Sequence, residues 1–217
     1  MKFSALRGPL LDMEHCQLRG PRNAENFIAA LAVGYALRIP MEGMMAPLKT
    51  HSAGAHRLEL VAEINGVQYI NDSKVTSVDA LHNAICATRP GTGGEPNIWL
   101  IAGGKDKGMD FHDVVQLLSQ RVKRAFLLGE SSKRMHDAWS VFTPCTTAHS
   151  LLEAVAEAAK NATSGDVVLL SPACSSWDQF RNHQHRDEVF CQAVKSIGRG
   201  VRGSTPNIDG KTVTAHH

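Results

Sequence analysis

The chain has 217 residues, and its 23 basic and 21 acidic side chains leave a formal net charge of +2, so no polybasic footprint calls for nucleic acid or an anionic membrane. That length suits one ordinary domain plus an appendage, and the five scattered cysteines (Cys16, Cys86, Cys145, Cys174, Cys191), with no C-x-x-C spacing, argue against a disulfide framework or a zinc site. No apolar run approaches the ~18 residues that span a bilayer, and the start lacks the apolar core of a signal peptide before Asp12 and Glu14, so a cytoplasmic protein with small-molecule partners is expected.

Residues 1 to about 20 show no convincing period, and Gly8-Pro9 and Gly20-Pro21 read as loop punctuation around a strand or two. From Asn23 the pattern is helical, with Phe27, Ala30, Leu31, Gly34 and Leu37 on one side and a stop at Ile39-Pro40. A short helix over 41–49 follows, its Met41, Met44 and Met45 packing against a neighbour. Residues 57–64 then alternate apolar and polar, turn at Asn65-Gly66 and resume over 67–70, the strongest short-range hairpin signal. The second strand delivers Asn71, Asp72, Ser73, Lys74 and Thr76 to its carboxyl end. Thr76-Ser-Val-Asp79 reads as a capping box for the next helix, and such a cap can also bind an anion.

That helix spans 77–88, with Val78, Leu81 and Ile85 on one face, and a loop occupies 91–96. Asn97-Ile-Trp-Leu-Ile-Ala102 is a continuous apolar run of the kind buried in a parallel sheet, followed by Gly103-Gly-Lys-Asp-Lys-Gly108 and a helix over 110–120. The unit repeats: a strand over 122–128, a helix over 131–139, a weak strand over 141–145, and a helix opened by Ser150-x-x-Glu153 and ending at Asn161. Residues 167–171 form the last strong strand. A loop over 172–182 leads to a final helix carrying Val189, Phe190, Val194 and Ile197, and the Gly/Thr/Ser-rich stretch 199–217 reads as a disordered tail. The alternation predicts an α/β fold, a Rossmann-like, mostly parallel sheet with helices on both faces.

In such a sheet three strand ends converge on one edge, where ligands collect: Asn71-Asp-Ser-Lys74, Gly103-Gly-Lys-Asp-Lys107 and Ser171-Pro-Ala-Cys-Ser-Ser176. The glycine pair lets backbone amides approach a ligand, and Lys107 adds a flexible positive charge suited to a carboxylate or phosphate. Without a G-x-S-x-G elbow, Ser175 and Ser176 are not nucleophile candidates, and Cys174, with no cationic neighbour in sequence, reads as a buried small residue. Asp72, Lys107 and Ser176 therefore look like a binding set for a small, acidic, polar molecule. A dinucleotide fingerprint is missing, which weighs against the leading unrelated reading, a NAD-type oxidoreductase. Gly210-Lys-Thr212 lacks the spacing and the preceding strand of a P-loop, His183 and His185 lie in a loop without further metal ligands, and His56 opens a strand as either a packed imidazole or a ligand contact.

Taken together, Asn23-Ala-Glu-Asn26, Ala55-His-Arg-Leu-Glu59, Ile70-Asn-Asp-Ser-Lys-Val-Thr76, Gly103-Gly-Lys-Asp-Lys107 and Ser171-Pro-Ala-Cys-Ser-Ser176 resemble the bacterial Mur ligases. The likeness is strongest to the members that add D-glutamate to UDP-N-acetylmuramoyl-L-alanine in peptidoglycan precursor synthesis. It runs from about Leu18 to Gly198. The resemblance implies an ATP- and Mg2+-dependent, ADP-forming ligase: the substrate carboxylate becomes an acyl phosphate, the amine of D-glutamate attacks it, and phosphate leaves. It further implies that Asn23 and Asn26 contact adenine, that Arg57 and Asp72 face phosphates and ribose, and that Thr76, Lys107 and Ser176 hold the D-glutamate carboxylates. Lys74 stands close by, Lys74 and Lys107 being the candidates for charge stabilisation. Arg22 replaces the histidine the family usually has before the first asparagine, and Trp177 and His183 stand where an apolar residue and an aromatic commonly line the glutamate pocket.

The family's amino-terminal UDP-sugar domain, and the P-loop and magnesium-binding acid of its central ATPase domain, have no counterpart in this sequence. On the resemblance, residues 1–50 are a remnant of the central ATP-binding domain, 51–198 the carboxyl-terminal domain and 199–217 the tail. The chain is then the carboxyl-terminal portion of a D-glutamate-adding ligase, inactive without the missing domains, which are either on another chain or lost. The competing readings are a stand-alone module binding D-glutamate or an adenine nucleotide, and a non-catalytic remnant. An exposed apolar patch on the helix 23–37 would favour the ligase part, since it would mark an interface.

Overall fold

The computed structural model describes residues 2–5, 8–18, 21–51 and 57–202. Strands β1 (Lys2–Ala5) and β2 (Gly8–Asp12) pair antiparallel, with Lys2 opposite Asp12. Helix α1 (Pro21–Ala36) starts at Pro21, two residues before the periodic pattern does. A proline suits that first position because its missing N–H would have no partner there and its φ is already helical. Ala24 and Phe27 are buried with Leu11, Met13 and Cys16, and Met45 and Leu48 of α2 (Met41–Thr50) pack against them. Farther along, Gly34 lies against the Met44 thioether, which would have to shift if a side chain were added there. Of the rest of the expected face, Leu31 is half-buried while Ala30 and Leu37 are exposed, and beside it Val33 is 60% and Tyr35 77% exposed.

The main sheet has six strands in the order β3-β4-β8-β5-β6-β7. Strands β3 (Glu59–Ile64) and β4 (Val67–Asn71) form the predicted antiparallel hairpin. Its turn has positive φ at both Asn65 (52°) and Gly66 (76°), the two-residue geometry that matches strand twist and that Asn-Gly provides. Every other pairing is parallel, among β4, β8 (Val167–Leu170), β5 (Ile98–Gly103), β6 (Val122–Leu128) and β7 (Cys145–Thr147). Strands β5 and β8 are buried along their whole length, which is why they read as unbroken apolar runs. Alternate residues feed two cores. Ile98, Leu100, Leu127 and Leu169 meet α3 (Val78–Ala87), α4 (Val115–Arg121) and α5 (Ser132–Trp139), while Trp99, Ile101, Phe126 and Val168 meet α6 (Leu151–Asn161) and α7 (His183–Arg202). The expected α/β sheet with helices on both faces is the one observed.

Four local expectations change. The cap of α3 is Ser77, whose hydroxyl accepts from the Ala80 N–H at 3.3 Å, and not Thr76. The strand expected over 141–145 lies at 145–147: Phe142 and Thr143 still bond back to the Trp139 carbonyl, and pairing with β6 begins only when the Pro144 carbonyl accepts from Ala125. Val141 is accordingly 84% exposed. His183 and His185 sit in the first turn of α7 rather than in a loop; two residues apart on a helix, they do not share a face. Helix α7 also runs to Arg202, into the stretch read as tail. His56, Gly210-Lys-Thr212 and residues 203–217 lie outside the described residues. Among the described residues no helix is long and apolar enough to cross a membrane.

Candidate functional site

The carboxyl ends of β4, β8 and β5 are neighbours, so the three polar segments singled out in the sequence lie side by side on one sheet edge. Beyond β4 the turn is built by its own side chains. Asn71, fully buried, accepts the Ser73 N–H at 3.0 Å and donates to the Asp187 carboxylate on α7. Asp72 is 4% exposed and accepts from the Leu58 N–H at 3.1 Å and the Ser171 hydroxyl at 3.3 Å. Burial pushes its carboxyl up to about 7, against the pull of those two hydrogen bonds and of Arg57. The chain then exposes Lys74 and Thr76.

Beyond β5, Gly103 (φ 117°) and Gly104 (φ 139°) adopt backbone conformations that only glycine takes readily. A Cβ at Gly103 would strike the Leu128 carbonyl and one at Gly104 the Ser175 carbonyl. This close approach ties the loops together: the Gly104 N–H donates to Leu128 O at 3.0 Å, Ser131 N–H to Gly104 O at 2.9 Å, and Lys105 N–H to Ser175 O at 2.9 Å. Farther out, the Asp106 carboxylate accepts the Gly108 N–H at 2.8 Å and pairs with Arg134 of α5. Arg134 holds that carboxyl below the usual range and also donates to Met109 O at 3.0 Å. Lys107 therefore stands exposed on a loop pinned on both sides of it.

The segment beyond β8 is buried from Ser171 through Ser176, and Trp177 turns out to 70% exposure. Cys174 is fully buried and its thiol donates to the Ser131 hydroxyl at 3.4 Å; burial raises its pKa, as befits a packed residue. Among the described residues no hydrogen bond or ion pair engages the side chains of Lys74, Thr76 and Lys107. On the other side of the hairpin a groove of about 1010 Å³ runs between residues 14–18, the hairpin and the end of α3. It brings Asn23 and Arg57 together and reaches Asp72 through Leu58. Asn26 is exposed on α1 and does not line it. His183 is half-buried, and its carbonyl accepts from the Ser73 hydroxyl at 2.9 Å. Among the described residues no cluster of three His, Cys, Asp or Glu is placed to hold a metal ion.

One residue central to this edge is absent from the expectations. Arg186, 2% exposed, bonds to Ser73 beyond β4 and to the Cys174 carbonyl beyond β8. Its signal is in the periodicity of α7: Arg186 precedes the buried Phe190 and Val194 at helical spacing, a charged residue on the apolar face.

Residues 56–174, more than half of the chain, match the model of the Mur ligase glutamate ligase domain. A UDP-N-acetylmuramoylalanine--D-glutamate ligase of Thermoanaerobacter sp. strain X514 is 40% identical over 194 residues, 88% of this chain and 41% of that protein. The enzyme of the same name from Pseudomonas aeruginosa PAO1 is 39% identical, over 87% of this chain and 42% of its own length. The chain thus spans about two fifths of the curated relatives it matches. Among solved structures, the UDP-N-acetylmuramate-alanine ligase of Thermotoga maritima superposes with a TM-score of 0.63 at 15% identity, covering 84% of this chain and 40% of that one. A Thermotoga maritima MurF ligase in complex with ADP superposes at 0.56 and 16% identity, over 79% of this chain and 38% of that one. At such identities the superpositions establish the fold, and the sequence match establishes the lineage: the chain belongs to the Mur ligase family and carries its glutamate ligase domain.

Proposed function

We propose that the chain is the carboxyl-terminal portion of an ATP-dependent ligase that adds D-glutamate to UDP-N-acetylmuramoyl-L-alanine, working in the cytoplasm. The observation that carries this reading is the edge where β4, β8 and β5 end. Lys74, Thr76 and Lys107 stand there with no protein partner among the described residues, beside Ser176. Two cations and two hydroxyls on rigid strand ends suit a small dicarboxylate. In this reading Thr76, Lys107 and Ser176 hold the D-glutamate carboxylates, Trp177 and His183 close the pocket, and the amine is aimed at the acyl phosphate. Lys74 and Lys107 stabilise its negative charge, so catalysis is positioning and electrostatics.

The groove that brings Asn23 and Arg57 together is offered for the adenine and ribose of ATP, with Asp72 behind Leu58 at its margin, while Asn26 stands outside it on α1. ATP would supply the phosphoryl group, and Mg2+ would come with its phosphates. Residues 1–50 then belong to the central ATP-binding domain, 51–198 to the carboxyl-terminal domain and 199–217 to a tail. The apolar side chains exposed on α1, which with α2 line an open groove of about 500 Å³, support a partner surface on the remainder of the ligase, on this or another chain. A stand-alone binding module is the second reading, favoured by Lys74, Thr76, Lys107 and Ser176 all lying on this chain.

The test is ADP release by the purified chain with Mg-ATP, D-glutamate and UDP-N-acetylmuramoyl-L-alanine, each omitted in turn, with and without the amino-terminal portion of a relative. Release that appears only with the added portion, and needs all three substrates, is the expected result. Binding of D-glutamate without release in either case would select the binding module, and neither binding nor release would refute both.

A further inference from the structure

We propose that Arg186 is a positioning residue: it clamps the loop beyond β4 to the loop beyond β8 and so sets the gap across which the acidic substrate is held. This rests on the reading of that edge as the D-glutamate site. A guanidinium removed from water is costly unless its donors are matched, and here they are spent on two loops. Nε donates to the Ser73 hydroxyl at 3.2 Å, one terminal nitrogen to the Ser73 carbonyl at 2.7 Å and the other to the Cys174 carbonyl at 3.2 Å. Ser73 immediately precedes Lys74, and Cys174 is two residues before Ser176. The planar fork thus spans the base of the site from one wall to the other.

The backbone supplies a second, independent observation. Ala173 is fully buried with φ 58°, a left-handed conformation that a non-glycine residue keeps only when its surroundings hold it. Three bonds bracket it: Gly103 N–H to Pro172 O at 2.8 Å, Arg186 to Cys174 O, and Lys105 N–H to Ser175 O at 2.9 Å. The first and third tie the strained turn to the β5 loop, and Arg186 ties it to the β4 loop. Nearer the sheet, Ser171 bonds to Asp72, so the clamp governs the outer part of both loops, where the proposed carboxylate ligands stand. A lysine at 186 keeps the charge but has no fork with which to bridge two carbonyls and a hydroxyl.

The experiment compares wild type, Arg186→Lys and Ser73→Ala as isotope-labelled full chains. Backbone amide exchange is measured without ligand, followed by titration with D-glutamate. In Arg186→Lys, exchange of residues 73–77 and 173–177 should accelerate about tenfold or more, and D-glutamate affinity should fall by a similar factor, the loss of a charge-assisted hydrogen bond. Amides of β5 and β6 should stay protected. Ser73→Ala, the milder variant should Arg186→Lys fail to fold, removes one of the three Arg186 contacts together with the bond from the Ser73 hydroxyl to the His183 carbonyl, and should loosen the same residues to a smaller degree. Unchanged exchange in the two loops, or loosening spread evenly through the sheet, overturns the clamp. If wild type itself binds no D-glutamate, the substrate reading falls, and exchange alone then decides for or against the clamp.

Discussion

Replacing Asp72 by asparagine should stabilise the protein at alkaline pH. The Asp72 carboxyl is driven from 3.8 up to about 7, chiefly by burial. Between those values the folded chain holds a proton that the unfolded chain has released. Stability therefore falls as pH rises through this window, and the whole cost is present above about 7. At about 1.4 kcal/mol per pH unit the gap amounts to roughly 4 kcal/mol, of which about 3 kcal/mol falls between pH 5 and pH 8.5. Asparagine reproduces the protonated acid: its Oδ1 accepts from Leu58 and its amide donates to the Ser171 hydroxyl, the two partners Asp72 has now. Urea unfolding of both proteins at pH 5 and pH 8.5, at one ionic strength, should show the variant's advantage growing by about 3 kcal/mol toward the higher pH. A difference independent of pH would mean that Asp72 is ionised throughout. That outcome would place the carboxyl at or below its ordinary value, Arg57 and the two hydrogen bonds outweighing burial, and the reasoning would be wrong.

Ser77→Ala should cost about 1 kcal/mol through the lost cap on Ala80, whereas Thr76→Ala, at an exposed side chain outside the helix, should cost only a few tenths; urea midpoints of the two variants check the order. Gly129→Ala should cost about 1–3 kcal/mol, because φ is 70° there and the new methyl would meet the Asp178 carboxylate and, at 3.0 Å, the Gly104 Cα. Thermal unfolding measures that loss, and a neutral result would mean that the β6 and β8 loops stand farther apart.

The strands that build the site were legible because burial on both faces leaves an unbroken apolar run, as in 98–102 and 167–170, and because Asn65-Gly66 names its own turn. Once those strands were placed in parallel, the convergence of Asn71-Asp-Ser-Lys74, the glycine loop and Ser171-Pro-Ala-Cys-Ser-Ser176 followed from topology. The cap of α3 was not legible. Thr76 and Ser77 are adjacent hydroxyl residues with the same local chemistry, and only the path of the chain leaving β4 decides which one faces the helix amides. Strand β7 was misplaced because Val141 and Phe142, apolar in sequence, belong to a turn still bonded to the end of α5. The role of Arg186 was hidden for another reason: its partners are a hydroxyl and two backbone carbonyls, which leave no charge pattern to read.

Two buried aspartates at opposite ends of the strands contrast in how their surroundings treat a charge. Asp166 precedes β8 and is 3% exposed. Burial works against its charge, yet Lys123 at 2.6 Å, the Thr163 N–H at 2.9 Å and the Trp99 indole at 2.9 Å together hold its carboxyl below the ordinary value. Asp72, following β4 and equally buried, feels Arg57 but makes no ion pair with it, and is pushed the other way. An acid matched by its surroundings is structural, whereas one kept at a cost marks an edge shaped for something other than stability. The strained Ala173 and the buried Arg186 lie on that same edge. Departures from what folding alone favours therefore collect at the carboxyl ends of the strands, the edge that carries Lys74, Lys107 and Ser176.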